Sequence, residues 1–371
     1  MDQSIKDLFR FLAASLLVML AAAALNFAVD PLQIFRPARL LTAVYSQDSR
    51  LQNAGLIKSQ TFDTVFMGTS LAIHFRQSDI DRILGVKSLK LAMTGSSSRE
   101  QAFVLAAAMA QKPKRAIWEV DDWIFHNAPD IDANANLPAD LYRGNAKGIA
   151  SYLLSGATAR EALWMAARSI PPLKPVLARL TSEALFKFPI TRVDDINTLQ
   201  ASDDVGAIYN AKRAMAAFRY ITDPVRSKYL LDDTDYDMKV RVFERDAIGL
   251  IRANPGVTFD IYLPPYSILQ WVALRETSPE TLQSVYAFSA LFCRRLMDFP
   301  NVRLFDFRAV SGVTHDLNNY SDVIHHSPAI DLKVLSWLAE GRYRVDRAQP
   351  TATLDQLKAQ VAAYRVESVE H

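Results

Sequence analysis

Serine, aspartate and histidine residues occur in an order that suits acyl-transfer chemistry. The stretch DTVFMGTSLAIHF, residues 63–75, is an apolar run that breaks at Gly68 and leaves Ser70 just beyond the break. Far along the chain, NNYSDVIHHSPAID places Asp322 three residues before His325. A carboxylate at this spacing can fix the tautomer of an imidazole and stabilise its charged form. Because a serine hydroxyl needs such a base to become a nucleophile, these residues form a candidate triad.

Two of these assignments have alternatives. Ser70 follows a predicted strand, where serine is favoured as a helix cap, and only the later Asp-x-x-His pattern favours the nucleophile. His325 and His326 are adjacent, and the spacing from Asp322 favours His325 as the base. His326 is then a neighbour of the site or a surface residue.

The elements that must position these residues alternate between strand and helix. The predicted strands are FDTVFMG, VKSLKLAMTG, RAIWEVDDWIF, VTFDIYLPPYS and VRLFDFR, with helical patterns between them. Strands joined through helices imply a mostly parallel sheet. We therefore predict an α/β fold, a flavodoxin-like three-layer sandwich around a mostly parallel five-stranded sheet. Loops that follow such strands gather at one edge, where Ser70 and His325 can meet.

The predicted domain, residues 61–345, contains a long insertion between its third and fourth strands. This insertion, at about residues 128–238, fits no strand pattern and is largely helical, most clearly in REALWMAARSI and AKRAMAAFRYI. At the carboxyl edge of a parallel sheet it could serve as a lid or substrate platform, or only pack. Residues 30–60 are predicted to be a linker, and residues 346–371 a loosely held polar tail.

The N-terminal segment predicts a membrane anchor. Residues 11–29 contain no charged residue, and at about 1.5 Å per residue they reach roughly the thickness of a bilayer's hydrocarbon core. Lys6 and Arg10 precede the run, which by the positive-inside rule puts residues 1–10 in the cytoplasm. The prediction is a single-pass inner-membrane protein with a periplasmic domain. A cleaved signal peptide is the alternative, because residues 21–24 are all alanine.

Composition excludes several other classes. The formal net charge is +2, from 42 basic and 40 acidic residues, and no block of Lys and Arg suggests a nucleic-acid partner. The single cysteine, Cys293, excludes an intrachain disulfide and a thiolate zinc cluster, and is predicted to fill the core. No spacing of His, Asp and Glu is typical of a metal site, so neither a metal nor another cofactor is predicted.

At this point the sequence resembles the GDSL-like SGNH hydrolase superfamily. Members carry a Ser after the first strand, a Gly after the second and an Asp-x-x-His near the C-terminus. The matching pieces here are GTS at 68–70, TGSS at 94–97 and DVIH at 322–325. The resemblance covers roughly residues 60–128 and 240–342. It is strongest to membrane-anchored members associated with bacterial exopolysaccharide synthesis, related to proteins that O-acetylate alginate, and FDIYLPPYS also resembles that subgroup.

The resemblance implies roles for individual residues. Ser70 would be the nucleophile, His325 the base and Asp322 the residue that orients it. The backbone N–H groups of Ser70 and Gly95 would form part of an oxyanion hole.

Two further residues are candidates from their own positions in the chain. Asp121 could bind substrate hydroxyls or belong to a turn, and Tyr266 could line the cleft or stiffen a turn.

The implied function is an extracytoplasmic serine esterase or O-acyltransferase for acyl groups, expected to be acetyl, of a cell-envelope polysaccharide or exopolysaccharide. Its partners would be an acylated glycan, the membrane and other polysaccharide-synthesis proteins; hydrolysis and transfer stay open. The sequence departs from the family at Thr69, where Asp is usual, and in EVDDW, where an Asn usually donates to the oxyanion. An ionised carboxylate cannot donate. The alternative is therefore a catalytically weak or inactive glycan-binding or assembly protein of polysaccharide export.

Overall fold

The chain forms two units, and the second contains the predicted sheet. The computed structural model describes residues 3–170 except 40, 44 and 47, then 192–193, 196, 208–224 and 235–366; for residues 122, 167, 168, 192 and 193 it describes the backbone alone. The first unit combines Met1–Thr61 with Asp132–Ser202, and the second combines Phe62–Ile131 with Asp203–His371. The predicted insertion is therefore divided between the two units.

A five-stranded parallel sheet is the centre of the second unit. Its strands are β1 (Thr64–Met67), β2 (Ser88–Lys90), β3 (Arg115–Glu119), β4 (Thr258–Leu263) and β5 (Val302–Asp306). They lie in the order β2-β1-β3-β4-β5, with every neighbouring pair parallel. This is the flavodoxin-like order, and the predicted α/β fold class is confirmed.

Helices cover the sheet, which explains why its strands are apolar along their whole length. On one face, Phe66 and Ile117 pack in a buried cluster with residues of the helix Pro328–Glu340. The Trp118 indole N–H donates at 2.6 Å to the side chain of Gln101, which lies on another helix, Ser98–Met109. The helices of this unit are Gln77–Leu84, Ser98–Met109, Ala211–Ile221, Tyr236–Phe243, Gly249–Ala253, Ile268–Thr277, Pro279–Leu296, Ser311–Thr314, Pro328–Glu340 and Ala352–Ala363.

The segment after Ser70 differs from its predicted form. The pattern LAIHFRQSDIDRIL predicts a helix from Leu71, but the α-helix begins only at Gln77. Ile73 and Phe75 are both buried in the core and are separated by one residue. Arg76, the residue before the helix, has an extended backbone at φ −79° and ψ 130°, so the helix begins after it.

The predicted linker and the tail predicted to be loosely held both contain packed helices. The predicted linker contains the helix Ser49–Ser59, where a Cβ on Gly55 would lie 1.6 Å from the Leu32 carbonyl oxygen. The predicted tail contains the helix Ala352–Ala363, which buries Leu354, Leu357 and Val361 in a core cluster. The helix Ser49–Ser59 is buried on several sides, from Gln52 to Ile57, whereas the spacing of the buried residues in Ala352–Ala363 brings them to one face.

The first unit is helical in the part that the structure describes. Its helices are Gln3–Val29, Ser49–Ser59, Ala139–Arg143, Ala146–Leu153 and Gly156–Ser169, and Tyr45–Ser46 pairs antiparallel with Arg192–Val193. The predicted helices REALWMAARSI and AKRAMAAFRYI are confirmed in Gly156–Ser169 and Ala211–Ile221. Residues 171–191 of the insertion lie outside the described residues.

The N-terminal helix Gln3–Val29 is long and apolar enough to span a membrane. Its most apolar window has a mean hydropathy of 2.2, and only 6% of that window is buried within the protein. The interior of a soluble protein therefore does not account for its composition. A signal sequence has the same length and composition, so retention of this helix as an anchor and the side of the membrane on which the remainder lies both stay predictions.

Candidate active site

The three residues of the predicted triad meet at the carboxyl edge of the sheet. Ser70 opens a 3₁₀ turn, Ser70–Ala72, directly after β1. Its Oγ lies 2.9 Å from Nε2 of His325, which is 255 positions away in the chain. On the other side of the imidazole, Nδ1 lies 2.6 Å from Oδ2 of Asp322. The arrangement is a continuous hydroxyl–imidazole–carboxylate chain.

The loop itself holds Asp322 in place. Its Oδ1 accepts the backbone N–H groups of Ile324 and His325, each at 2.7 Å, which leaves Oδ2 for the imidazole. Burial raises the pKa of Asp322, but the hydrogen bonds and charge of His325 outweigh it and lower this pKa below its ordinary value. The carboxylate therefore stays ionised and accepts a hydrogen bond from the Nδ1–H group of His325. Nε2 then carries no proton and can receive the one from the Ser70 hydroxyl.

His326 lies beside the triad, but it is not a surface residue. Its side chain is buried, with Nδ1 at 3.2 Å from Oδ1 of Asp331, which is also buried. The surface alternative for His326 is thus wrong, because the helix beginning at Pro328 carries Asp331 over it. The adjacent His325 points the other way, to Ser70.

The turn after β2 lies next to the nucleophile. The backbone N–H of Met93 donates to the Gly68 carbonyl at 2.9 Å, and the turn continues to Gly95 in the left-handed region at φ 63°. Within the described residues, the backbone N–H groups of Ser70 and Gly95 have no hydrogen-bond acceptor. Both are therefore available to a ligand, although an oxyanion role for them stays a prediction.

Behind the nucleophile lies a buried network, which includes both predicted substrate-binding residues. The Thr69 backbone N–H donates to Oε2 of Glu119 at 2.7 Å, and the Thr69 hydroxyl lies 2.6 Å from Oδ2 of Asp121. The Tyr266 hydroxyl donates to the other oxygen of Asp121. Asp121 is 1% and Tyr266 5% exposed, so the structure ties both to the nucleophile turn. Their contact with a substrate stays a prediction.

The two carboxyl groups of this network differ in protonation. Burial, followed by the charge of Asp121, raises the pKa of Glu119 well above its ordinary value. Burial also raises the pKa of Asp121, but hydrogen bonds from Thr69 and Tyr266 and the charge of His325 oppose that increase. We therefore place the proton on Glu119 and the negative charge on Asp121.

Sequence reasoning did not assign a role to Glu119 or to the Thr69 side chain. The available signal was a single acidic residue ending the apolar strand segment AIWE, since a buried carboxyl group must have a special environment. Gly68 belongs to the same arrangement. A Cβ at Gly68 would lie 2.5 Å from both Oε2 of Glu119 and Cβ of Ala72. Glycine therefore allows the nucleophile turn to approach the carboxyl group closely.

Replacing Glu119 by glutamine tests this protonation state. The unfolded chain releases the proton above a pKa of about 4.3, whereas the folded protein keeps it, so the free energy of unfolding falls as pH rises by up to about 1.4 kcal/mol per pH unit. Glu119→Gln cannot ionise and should lose this decline, which in the unmodified protein begins above the ordinary pKa and continues until the pH reaches the raised one. Denaturant unfolding of the full chain in detergent measures it.

The matched control is Glu340→Gln, because Glu340 is an exposed helix residue. Its pH profile should follow that of the unmodified protein. If Glu119→Gln shows the same decline as Glu340→Gln, then Glu119 is not protonated in the folded protein.

Within the described residues, no group of three or more His, Cys, Asp or Glu could hold a metal ion.

Sequence comparison adds no family assignment: no protein-family model matches the chain, and no protein of curated function matches it. The resemblance to SGNH hydrolases therefore depends on the short motifs alone and stays a prediction.

Proposed function

We propose that this protein is a serine-dependent acyl ester hydrolase or acyltransferase. The observation that carries the proposal is the hydrogen-bonded chain from Ser70 through His325 to Asp322. Ser70 is 255 positions from His325 in the sequence, and each of the three residues is in the orientation that its proposed role requires. A helix cap at Ser70 would not need an imidazole at 2.9 Å from its hydroxyl oxygen.

In the proposed reaction, Oγ of Ser70 attacks the acyl carbonyl carbon while Nε2 of His325 takes the hydroxyl proton. The carbonyl oxygen becomes negative and lies toward the backbone N–H groups of Ser70 and Gly95. His325 then gives its proton to the departing alcohol oxygen, which leaves an acyl-serine. Water or a sugar hydroxyl attacks this ester by the same steps in reverse order. Asp322 stabilises the imidazolium in both halves.

The buried network supports this chemistry from behind. The bonds from Thr69 to Glu119 and Asp121 hold the residue that directly precedes Ser70. Because an error of about 1 Å in a reacting group can cost on the order of 100-fold in rate, a rigid turn is valuable at this position. The charge of Asp121 also acts on His325, which favours the imidazolium.

The substrate and location follow from the sequence resemblance and the N-terminal helix. The resemblance supports acyl groups, expected to be acetyl, on a cell-envelope polysaccharide or exopolysaccharide as the substrate. The apolar helix Gln3–Val29 supports single-pass membrane anchoring. Lys6 and Arg10 before the apolar run support an extracytoplasmic position for the remainder.

A non-catalytic glycan-binding protein on the same scaffold is the second candidate. The observation that favours it is the hydrogen bonding of the Asp121 carboxylate, just after the third strand. Its two oxygens accept from Thr69 and Tyr266, so this side chain offers no donor to an oxyanion. A hole with fewer donors stabilises the tetrahedral intermediate less.

Covalent labelling distinguishes the two candidates. A fluorophosphonate reacts with an activated serine, so we expect a single adduct on Ser70 of the purified full chain, located by peptide mass spectrometry. His325→Gln should suppress the adduct, whereas Ser336→Ala, on an exterior helix position, should leave it unchanged. No adduct on Ser70 in a folded preparation would favour the binding protein.

A further inference from the structure

The end of the apolar N-terminal helix is held by two helices of the first unit. Residues 3–14 of the helix are exposed, whereas Ala22, Ala23 and Leu25 are half-buried and Asn26 is buried. The helix packs there against Ala146–Leu153 and Gly156–Ser169. We call these two helices, with the residues up to Ile170, the collar.

Buried polar bonds fix the collar to the helix. Nδ2 of Asn26 donates to the carbonyl oxygens of Leu153 at 2.8 Å and Ser155 at 3.1 Å, at the junction of the collar helices. Just beyond the apolar helix, Oδ1 of Asp30 accepts the Tyr152 hydroxyl at 2.9 Å. Since polar groups are costly to leave unpaired when they are buried, these bonds favour one position of the collar on the helix end.

The position of this junction along the helix sets the depth of the collar. The uncharged residues 11–29 are about 28 Å long at about 1.5 Å per residue, close to the hydrocarbon thickness of about 30 Å. Residues 22–29, which the collar covers on one side, are the last ~11 Å of that length. If the helix spans a bilayer, the collar lies at the outer part of one leaflet.

The exposed surface of the collar has the composition expected at that depth. No charged residue occurs between Gly148 and Ala159, and the charged residues of the collar are Lys147, Arg160, Glu161 and Arg168. On the collar, the Trp164 side chain is 38% exposed and the Leu154 side chain 54% exposed. Further exposed large apolar residues are Ile170 at the end of the collar, and Phe27 and Phe35 at and just after the end of the apolar helix. Tryptophan is enriched at membrane interfaces, because its amphipathic ring suits the headgroup level.

A cation accompanies this apolar surface. The Arg36 guanidinium lies 5.0 Å from the centre of the Phe27 ring and donates to the carbonyl oxygen of Ala28 at 2.8 Å. Arginine at the end of an apolar helix places its charge at the headgroups while its stem covers apolar surface. An ordinary water-facing surface would not require this combination.

We propose that the collar is embedded in the boundary between headgroups and acyl chains of the bilayer that the N-terminal helix spans. Trp164 and Leu154 contact lipid there, so the protein is held at a fixed depth rather than on a free tether. This inference depends on the proposed membrane anchoring, which it extends from one helix to three. The lipid surface is favoured over a second protein copy because the exposed residues continue directly from the lipid-facing helix.

Depth-dependent quenching of tryptophan fluorescence tests the proposal. The full chain is reconstituted in phosphatidylcholine–phosphatidylglycerol vesicles that contain lipid brominated at a shallow acyl position. Of the five tryptophans, only Trp123 and Trp164 are substantially exposed. We expect shallow bromine to quench the unmodified protein, Trp164→Phe to lose that quenching, and the matched control Trp123→Phe to retain it.

Other outcomes overturn the proposal in distinguishable ways. If alkaline carbonate extracts the protein from membranes, the anchoring fails and the collar proposal fails with it. If the protein resists extraction but Trp164→Phe is quenched as before, the anchor stands and the collar is outside the lipid. An unquenched Trp164 in a protein that cross-links as a dimer would assign the apolar surface to a second copy.

Discussion

Ser70→Ala should reduce turnover of a chromogenic acetyl ester by on the order of 10⁴-fold or more, with KM changed little. The substitution removes only the hydroxyl that lies 2.9 Å from Nε2 of His325. The substrate can still bind, but it no longer has a nucleophile to attack its carbonyl carbon. Initial rates of the purified full chain in detergent measure the loss.

Two controls separate a catalytic loss from a folding defect. Ser336→Ala makes the same exchange on the helix Pro328–Glu340, where the hydroxyl donates to the carbonyl oxygen of Leu332 in its own helix. It should retain full activity. Thermal unfolding of Ser70→Ala should match that of the unmodified protein. Equal ester turnover by Ser70→Ala and the unmodified protein would remove the serine mechanism.

Hydrolysis and transfer use the same triad, so the serine variant does not distinguish them. Both pass through the acyl-serine, and the choice depends on whether water or a sugar hydroxyl reaches it. A screen of acyl donors and glycan acceptors read by mass spectrometry would name the acceptor directly. Ser70→Ala provides the blank for each donor in that screen.

Topology explains why the triad could be predicted from sequence. Parallel strands bring their carboxyl ends to one edge, so a serine after β1 and a histidine after β5 can meet across 255 positions. The local part was also readable, since Asp322 at three residues before His325 bonds to the N–H of its own loop. Pattern and topology together specified which residues would meet.

The support behind the nucleophile could not be predicted in the same way. Glu119 and Thr69 are 50 positions apart, and their bond exists because β1 and β3 are neighbours and Gly68 has no Cβ. Strand order is a tertiary property, and a lone glutamate in an apolar segment does not name its partner. Likewise, the helix starts late, at Gln77, because the backbone of Arg76 is extended, and the residue pattern does not indicate that break.

Asp322→Asn should reduce turnover by about 10³- to 10⁴-fold at neutral pH, while leaving the fold intact. An asparagine oxygen can still accept the N–H groups of Ile324 and His325, so the loop should keep its shape. The amide lacks the negative charge that stabilises the imidazolium. Its NH₂ group is a donor, so it cannot accept a hydrogen bond from the Nδ1–H group of His325. Rates and thermal unfolding of the same preparation separate the two effects.

The stability of the unmodified protein at low pH also depends on the ionised state of Asp322. Because hydrogen bonds and the charge of His325 lower the pKa of Asp322 despite its burial, this carboxylate should stay ionised down to pH values below its ordinary pKa of about 3.9. Its contribution to stability is present above the ordinary pKa and is lost only as pH falls through the lowered one.

Asp316→Asn is the matched control for the activity of Asp322→Asn, because Asp316 is exposed and caps a short turn in the same region. If Asp316→Asn and Asp322→Asn had equal activity, Asp322 would be only a loop residue, and the imidazole would act without a carboxylate.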